Sequence, residues 1–263
     1  MKHTVTLITL FIFLFMYTAS SVEKNYFQVY EAVPENAELT DNSIKFEDEN
    51  CQITYNLWSE GGDIGFNFLN TTSEYITINK EKSFFIINGF AYDYYLNRIQ
   101  GSTSNESVLK SSSSVYNGYR RNSFSQALSA SNSVSFQEST NEIIPPKTLK
   151  RISEYRINST LLRNCDLLRF PSKNEIMSLS YSKENSPFVF SNLISYTMND
   201  KEFLIENKFH ISSIANYPKG ELVTKIDVEY CGEKRYEKEE VFKQNEANKF
   251  YIRYTRNSSD FMH

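Results

Sequence analysis

The sequence predicts an all-β protein built as an antiparallel sandwich of two facing sheets, and three observations predict it. Between Cys51 and Asn97 the runs CQITYNLW, DIGFNFLN, EYITIN, SFFII and FAYDYYL are short and rich in Ile, Phe, Tyr and Thr, the residues that fit a pleated, half-buried surface. Glu60-Gly61-Gly62, Asn70-Thr71-Thr72-Ser73, Lys80-Glu81-Lys82 and Asn88-Gly89 separate these runs as turn clusters do. Period two is explicit from Asp63 to Leu69, where Ile64, Phe66 and Phe68 alternate with Asp63, Gly65 and Asn67, so one face is buried.

At the start of the chain, MKHTVTLITLFIFLFMYTASS places Lys2 and His3 before an apolar run and ends in Thr18, Ala19, Ser20 and Ser21. This is the plan of a signal peptide, assigned to residues 1–21. The run is shorter than the ~20 residues of a spanning helix, which favours cleavage over anchoring. The expected location is therefore exported: periplasmic, in the cell envelope or extracellular, with no transmembrane segment left after cleavage. No cysteine stands near the small residues, so no lipid anchor is expected.

Loss of Lys2 with the leader turns 28 basic residues into 27, against 32 acidic ones, a net charge of −5. That balance lacks the basic surplus that nucleic acid or an anionic membrane would require. Twenty Phe and eighteen Tyr supply the bulk for one large or two small β domains.

NYFQVYEAVP puts Phe27, Val29 and Glu31 on one face and Tyr26, Gln28 and Tyr30 on the other, and Pro34 stops it. It reads as an opening edge strand. SIKFED and CQITYNLW follow after polar turns, and the acidic turn Glu47, Asp48 and Glu49 lacks the alternating spacing of a calcium loop. Asn88 and Gly89 both tolerate positive φ, which fixes a two-residue hairpin between SFFII and FAYDYY.

At this point the run DIGFNFLNTTSEYITINKEKSFFIINGFAYDYY resembles the exported immunoglobulin-like β-sandwich modules of bacteria, in which an "N-x-T" strand end, an "I-x-I" strand and an "N-G" hairpin succeed one another. The resemblance implies an immunoglobulin-like antiparallel β-sandwich with a long Ser-rich insertion, and no chemistry. The chain as a whole also resembles envelope proteins of the Bacteroides group, from which no residue role follows.

Between Gly101 and Thr140 fourteen of forty residues are serine, and apolar residues show no sustained period. Residues 101–145 are therefore expected to be a loop or linker between a first part of the sandwich, 22–100, and a second, 146–257. One continuous sandwich is preferred over two small ones. Within the serine-rich stretch Tyr116, Tyr119, Arg120 and Arg121 combine aromatic and arginine character of the kind enriched in protein contacts.

Past Pro145-Pro146 the texture of TLKRISEYRI, IMSLSYS, PFVFSNLISYTM, EFLIENKFHISSIANYP and ELVTKIDVEYC returns to strands. Asn199-Asp200 marks a second tight hairpin. LVTKIDVEY shows one apolar and one charged face, as an outer strand does, and residues 258–263 are expected to fray.

Chemistry finds little footing. Cys51, Cys165 and Cys231 form no CxxC, so a cysteine metal site is excluded; two of the three can pair in an oxidising compartment, or all three can be buried as small hydrophobes. His210 alternates with Phe209 and Ile211 and reads as a strand residue, and no motif supports it as partner of a Cys165 nucleophile. No cofactor or metal is expected. Trp58 beside Gly61-Gly62, and Tyr92, Tyr94 and Tyr95 after the hairpin, could offer aromatic faces to a glycan. Four Asn-x-Ser/Thr patterns, at Asn70, Asn105, Asn158 and Asn257, are of the kind an Asn- and Ser-rich chain produces by chance. The expected function is non-enzymatic binding of a protein or envelope component, with a carbohydrate-binding accessory module as the alternative and a hydrolase without recognisable motif as the third reading.

Overall fold

The computed structural model describes residues 24–40, 42–108, 111–116, 119–124 and 128–256; the leader and the tail lie outside them. The strands in chain order are β1 (Asn25–Pro34), β2 (Glu38–Leu39), β3 (Ile44–Glu47), β4 (Cys51–Tyr55), β5 (Phe66–Asn70), β6 (Ile76–Ile87) and β7 (Phe90–Asp93). The serine-rich stretch carries β8 (Ile99–Val108), β9 (Ser111–Tyr116), β10 (Tyr119–Phe124) and β11 (Leu128–Gln137). Then come β12 (Asn141–Ile144), β13 (Leu149–Ile152), β14 (Ser178–Ser180), β15 (Val189–Met198) and β16 (Lys201–Pro218). The chain continues as a single helical turn α1 (Lys219–Leu222), then β17 (Val223–Tyr230), β18 (Glu233–Phe242) and β19 (Lys249–Thr255).

One sheet runs β12-β6-β15-β16-β1-β19, with β7 also on β6 and β14 also on β16; the other runs β13-β5-β4-β3-β2. All the ladders are antiparallel. The first sheet mixes β1 and β6 with β15, β16 and β19, so the two halves of the chain share it. The sheets meet face to face through aromatic side chains. Phe209 of β16 lies 5.6 Å from Phe46 and 5.2 Å from Tyr55, ring centre to ring centre, and Phe68 of β5 lies 5.7 Å from Tyr196 of β15. The alternation at Ile64, Phe66 and Phe68 points all three into this core, where each is buried.

A polar thread also crosses the core. The Tyr94 hydroxyl donates to Asn192 Oδ1 (2.8 Å), the Asn192 amide to Ile64 O (3.0 Å), and the Tyr55 hydroxyl to Asn207 Oδ1 (2.8 Å). Each of these four side chains thus has a partner, without which it would cost about 1–3 kcal/mol.

Both expected hairpins form with positive φ at both residues: 49° and 83° at Asn88-Gly89, 50° and 61° at Asn199-Asp200. A third, Cys231-Gly232 at 52° and 82°, joins β17 to β18. All three cysteines are free: Cys51 is buried on the inner face of β4, while Cys165, in a loop, and Cys231, in this turn, are exposed. No pair among them is joined, and they are not uniformly buried.

Several expectations are corrected. β1 is an interior strand, flanked by β16 and β19; Pro34 is tolerated because the ladder to β19 ends at Glu31. Lys80-Glu81-Lys82 is no turn, since β6 runs through it. Instead the register against β15 shifts between Leu193 and Ser195, and the Ser83 hydroxyl, which donates to Asn79 O, accepts the Ser195 N–H. The backbone of the serine-rich stretch, expected as loop, is paired: β8 with β11 and β9 with β10. Among the described residues β17 pairs with β18 alone, and Ile226 on its apolar side is exposed.

Among the glycines with positive φ, Gly62 is the most closely packed. Its φ is +73° and an added Cβ would lie 2.8 Å from Phe250 Cγ, whereas Gly89, φ +83°, has open space around it. Gly89→Ala should cost about 1 kcal/mol for the left-handed backbone, and Gly62→Ala roughly 2–4 kcal/mol because overpacking is added. Urea midpoints of the two variants check the difference.

Candidate binding groove

The segment after β4 leaves the second sheet and runs along β19 of the first. Leu57 N–H donates to Ala247 O (2.8 Å), Tyr251 N–H to Ser59 O (3.2 Å) and Gly61 N–H to Tyr251 O (2.8 Å). Leu57 fills the core, and its neighbour Trp58 turns to the outer face. There the indole meets Phe242 edge-on at 5.0 Å and Tyr251 at 5.3 Å. Phe27 completes a four-ring cluster, 5.6 Å from Phe242 and 5.5 Å from Tyr251.

Beside this cluster a groove of about 330 Å³ opens on the outer face of the first sheet. Its floor is read from register: Val29 of β1 pairs with Ala215 of β16, and Ala215 with Ser178 of β14. Glu31 pairs with Ser213, and Lys249 of β19 stands opposite Glu31. Trp58, Tyr217, Glu221 and Leu222 of α1, and Glu246 line the rest. The ladder shifts register just after Glu31, a bulge of the kind that re-aims side chains beside binding sites.

The polar groups are unevenly matched. Lys249 Nζ is 2.8 Å from Glu246 Oε2, and Lys173 is 3.3 Å from Glu221. Glu31 Oε2 accepts a hydrogen bond from the Ser213 hydroxyl at 3.2 Å.

A second cleft, of about 370 Å³, lies where β3 and β4 meet β16, lined by Glu35, Glu47, Asp48, Glu206 and Lys208 over Cys51. Burial, and then the charge of Asp48, push the Cys51 thiol up to about 12, so it stays protonated and cannot serve as a nucleophile. Among the described residues no group of three or more His, Cys, Asp or Glu could hold a metal ion, and no helix is long and apolar enough to cross a membrane. His210 stands half-buried on β16.

The aromatic residues singled out in the sequence do not converge. Trp58 is at the groove. Tyr94 is no platform: it is buried, and its hydroxyl is committed to Asn192. Tyr92 is 47% exposed on β7, its ring 6.2 Å from Phe85 and 5.9 Å from Tyr155. Tyr95 is half-buried and donates to Asn97 Oδ1 at 3.0 Å. β7 and β19 are at opposite ends of the first sheet, five strand spacings or roughly 24 Å apart. Tyr116, Tyr119, Arg120 and Arg121 sit in the β9–β10 ladder, where Tyr119 pairs with Tyr116; their side chains lie outside the described residues.

Sequence reasoning missed Tyr217, Glu221, Glu246 and Lys249. A signal for Glu31 was present, since alternation had placed it on the face of Phe27 and Val29, a charge ending an apolar row. Two acceptor asparagines prove structural: Asn70 and Asn158 are buried, and their amides donate to Glu74 O and Thr160 O at 2.7 and 2.6 Å.

A scan against protein-family models, a search of curated proteins and a search of solved structures each find no match.

Proposed function

We propose that this chain is an exported, non-enzymatic binding protein, an immunoglobulin-like β-sandwich that engages another protein or a component of the cell envelope through the groove at Trp58. The observation that carries the reading is the composition of that groove: the chain's one tryptophan, a floor of Val29 and Ala215 set among serines, and several carboxylates. The centre of its floor stands on β1 and β16, each hydrogen-bonded to strands on both sides, and rigid elements hold a binding geometry better than loops do.

Affinity purification from the native host with crosslinking, using wild type and Trp58→Ala, tests the proposal. A partner recovered by the wild type and reduced at least tenfold in the variant, at unchanged melting temperature, is the expected result. Recovery that does not depend on Trp58 would remove the groove from the function. The carbohydrate-binding reading is favoured by the serine hydroxyls and carboxylates around Trp58, a mixture suited to sugar hydroxyls. Glycan-array binding lost in Trp58→Ala would put it first.

A further inference from the structure

We infer that the groove receives a basic side chain, an arginine or lysine presented by a segment of the protein partner; this rests on the groove being the binding site. The argument is one of charge complementarity. Three carboxylates, Glu31, Glu221 and Glu246, and one ammonium, Lys249, line the groove, and Lys173 from beside it takes Glu221 at 3.3 Å. Lys249 faces Glu31 across the ladder, yet its Nζ goes to Glu246, with contacts of 2.9 and 2.8 Å to the two carboxylate oxygens. Glu31 is left with the neutral hydroxyl of Ser213, and among the described residues no cation reaches it. A carboxylate in a groove floored by Val29, Ala215 and serines, without a counter-charge of its own, favours an incoming guanidinium or ammonium. The aromatic lining extends the match. Trp58 and Tyr217 can lie against the alkyl stem and the cationic head, and aromatic faces attract cations. Size agrees too, since about 330 Å³ is near the low end of ligand pockets, ~300–1,000 Å³, room for one long side chain and its adjoining backbone.

Trp58, the single tryptophan, is a built-in fluorescent reporter. The acetylated, amidated tripeptide Gly-Arg-Gly should change its emission saturably, and the same tripeptide with citrulline, isosteric but neutral, should bind at least tenfold more weakly. Glu31→Gln should weaken the arginine peptide about tenfold, with the far-ultraviolet spectrum and melting temperature unchanged. If that variant does not fold, Glu221→Gln carries the test with the same expected direction. Equal responses to arginine and citrulline, or an arginine affinity indifferent to both variants, overturns the inference. Such a result alongside Trp58-dependent capture of a partner would leave the proposed function standing and remove only its cationic occupant; loss of Trp58 dependence would remove both.

Discussion

Glu138→Gln is expected to lower stability by about 3 kcal/mol, seen as a fall in urea midpoint at unchanged m, because it leaves a buried ammonium with only a longer contact to Glu142. Glu138 and Lys80 are 3% and 7% exposed at the side chain, 2.7 Å apart. Arg98 reaches the same carboxylate at 3.2 Å and Glu154 at 2.7 Å, and Lys80 lies 3.6 Å from Glu142, which Lys150 also contacts. The network therefore joins β6 and β12 of one sheet to β13 of the other, and to the residues that enter β8 and leave β11. Removing both buried charges, as Lys80→Met with Glu138→Gln, should restore much of the loss, because the penalty belongs mainly to the unpaired charge.

The same carboxylate sets an acid dependence. Desolvation alone would raise its pKa, but hydrogen bonds from Lys80 and Arg98 and the charge of Lys80 outweigh it and hold the group at about 2. An unfolded glutamate titrates near ~4.3. Because the folded value is the lower one, the contribution, up to about 3 kcal/mol, is complete above that range and lost as pH falls toward 2. Urea titrations from pH 6 down to about 2.5 should show a steeper loss in wild type than in the double variant.

Phe209→Ala is the second large effect, with an expected cost of about 3–5 kcal/mol. The ring is fully buried, stacked on Phe190 at 5.1 Å and edge-on to Phe46 and Tyr55 of the facing sheet. Phe209→Leu keeps most of the volume and should cost about 1.5 kcal/mol or less. Equal effects of the two variants in thermal or urea unfolding would show that the sheets do not depend on this contact.

What the sequence revealed was local. Asn88-Gly89 and Asn199-Asp200 could be read because the turn conformation is dictated by the two residues themselves, and Ile64, Phe66 and Phe68 because period two is visible in three positions. Strand neighbours were not legible. β1 looked like an edge because Pro34 carries no information about which side of the strand β19 occupies. β18 and β19 went unread although Phe250, Ile252 and Tyr254 alternate and are buried; charged residues around them mask the period. The serine-rich stretch looked structureless because its apolar residues are sparse, yet a two-stranded ladder needs only backbone groups. The groove was legible in Trp58 and the face of Glu31, and no further, since α1, β16 and β19 bring their side chains to it from more than 150 positions away in the chain.

The placement of β1 between β16 and β19 also governs when the molecule can close. Gln28 and Asn216, bonded to each other, are 188 positions apart, so the earliest strand to be synthesised waits for β16 and then for the final strand, β19, before its backbone is matched on both sides. Contacts of such long sequence separation slow folding. During that wait the edges of β1 stay unpaired and open to pairing with other chains.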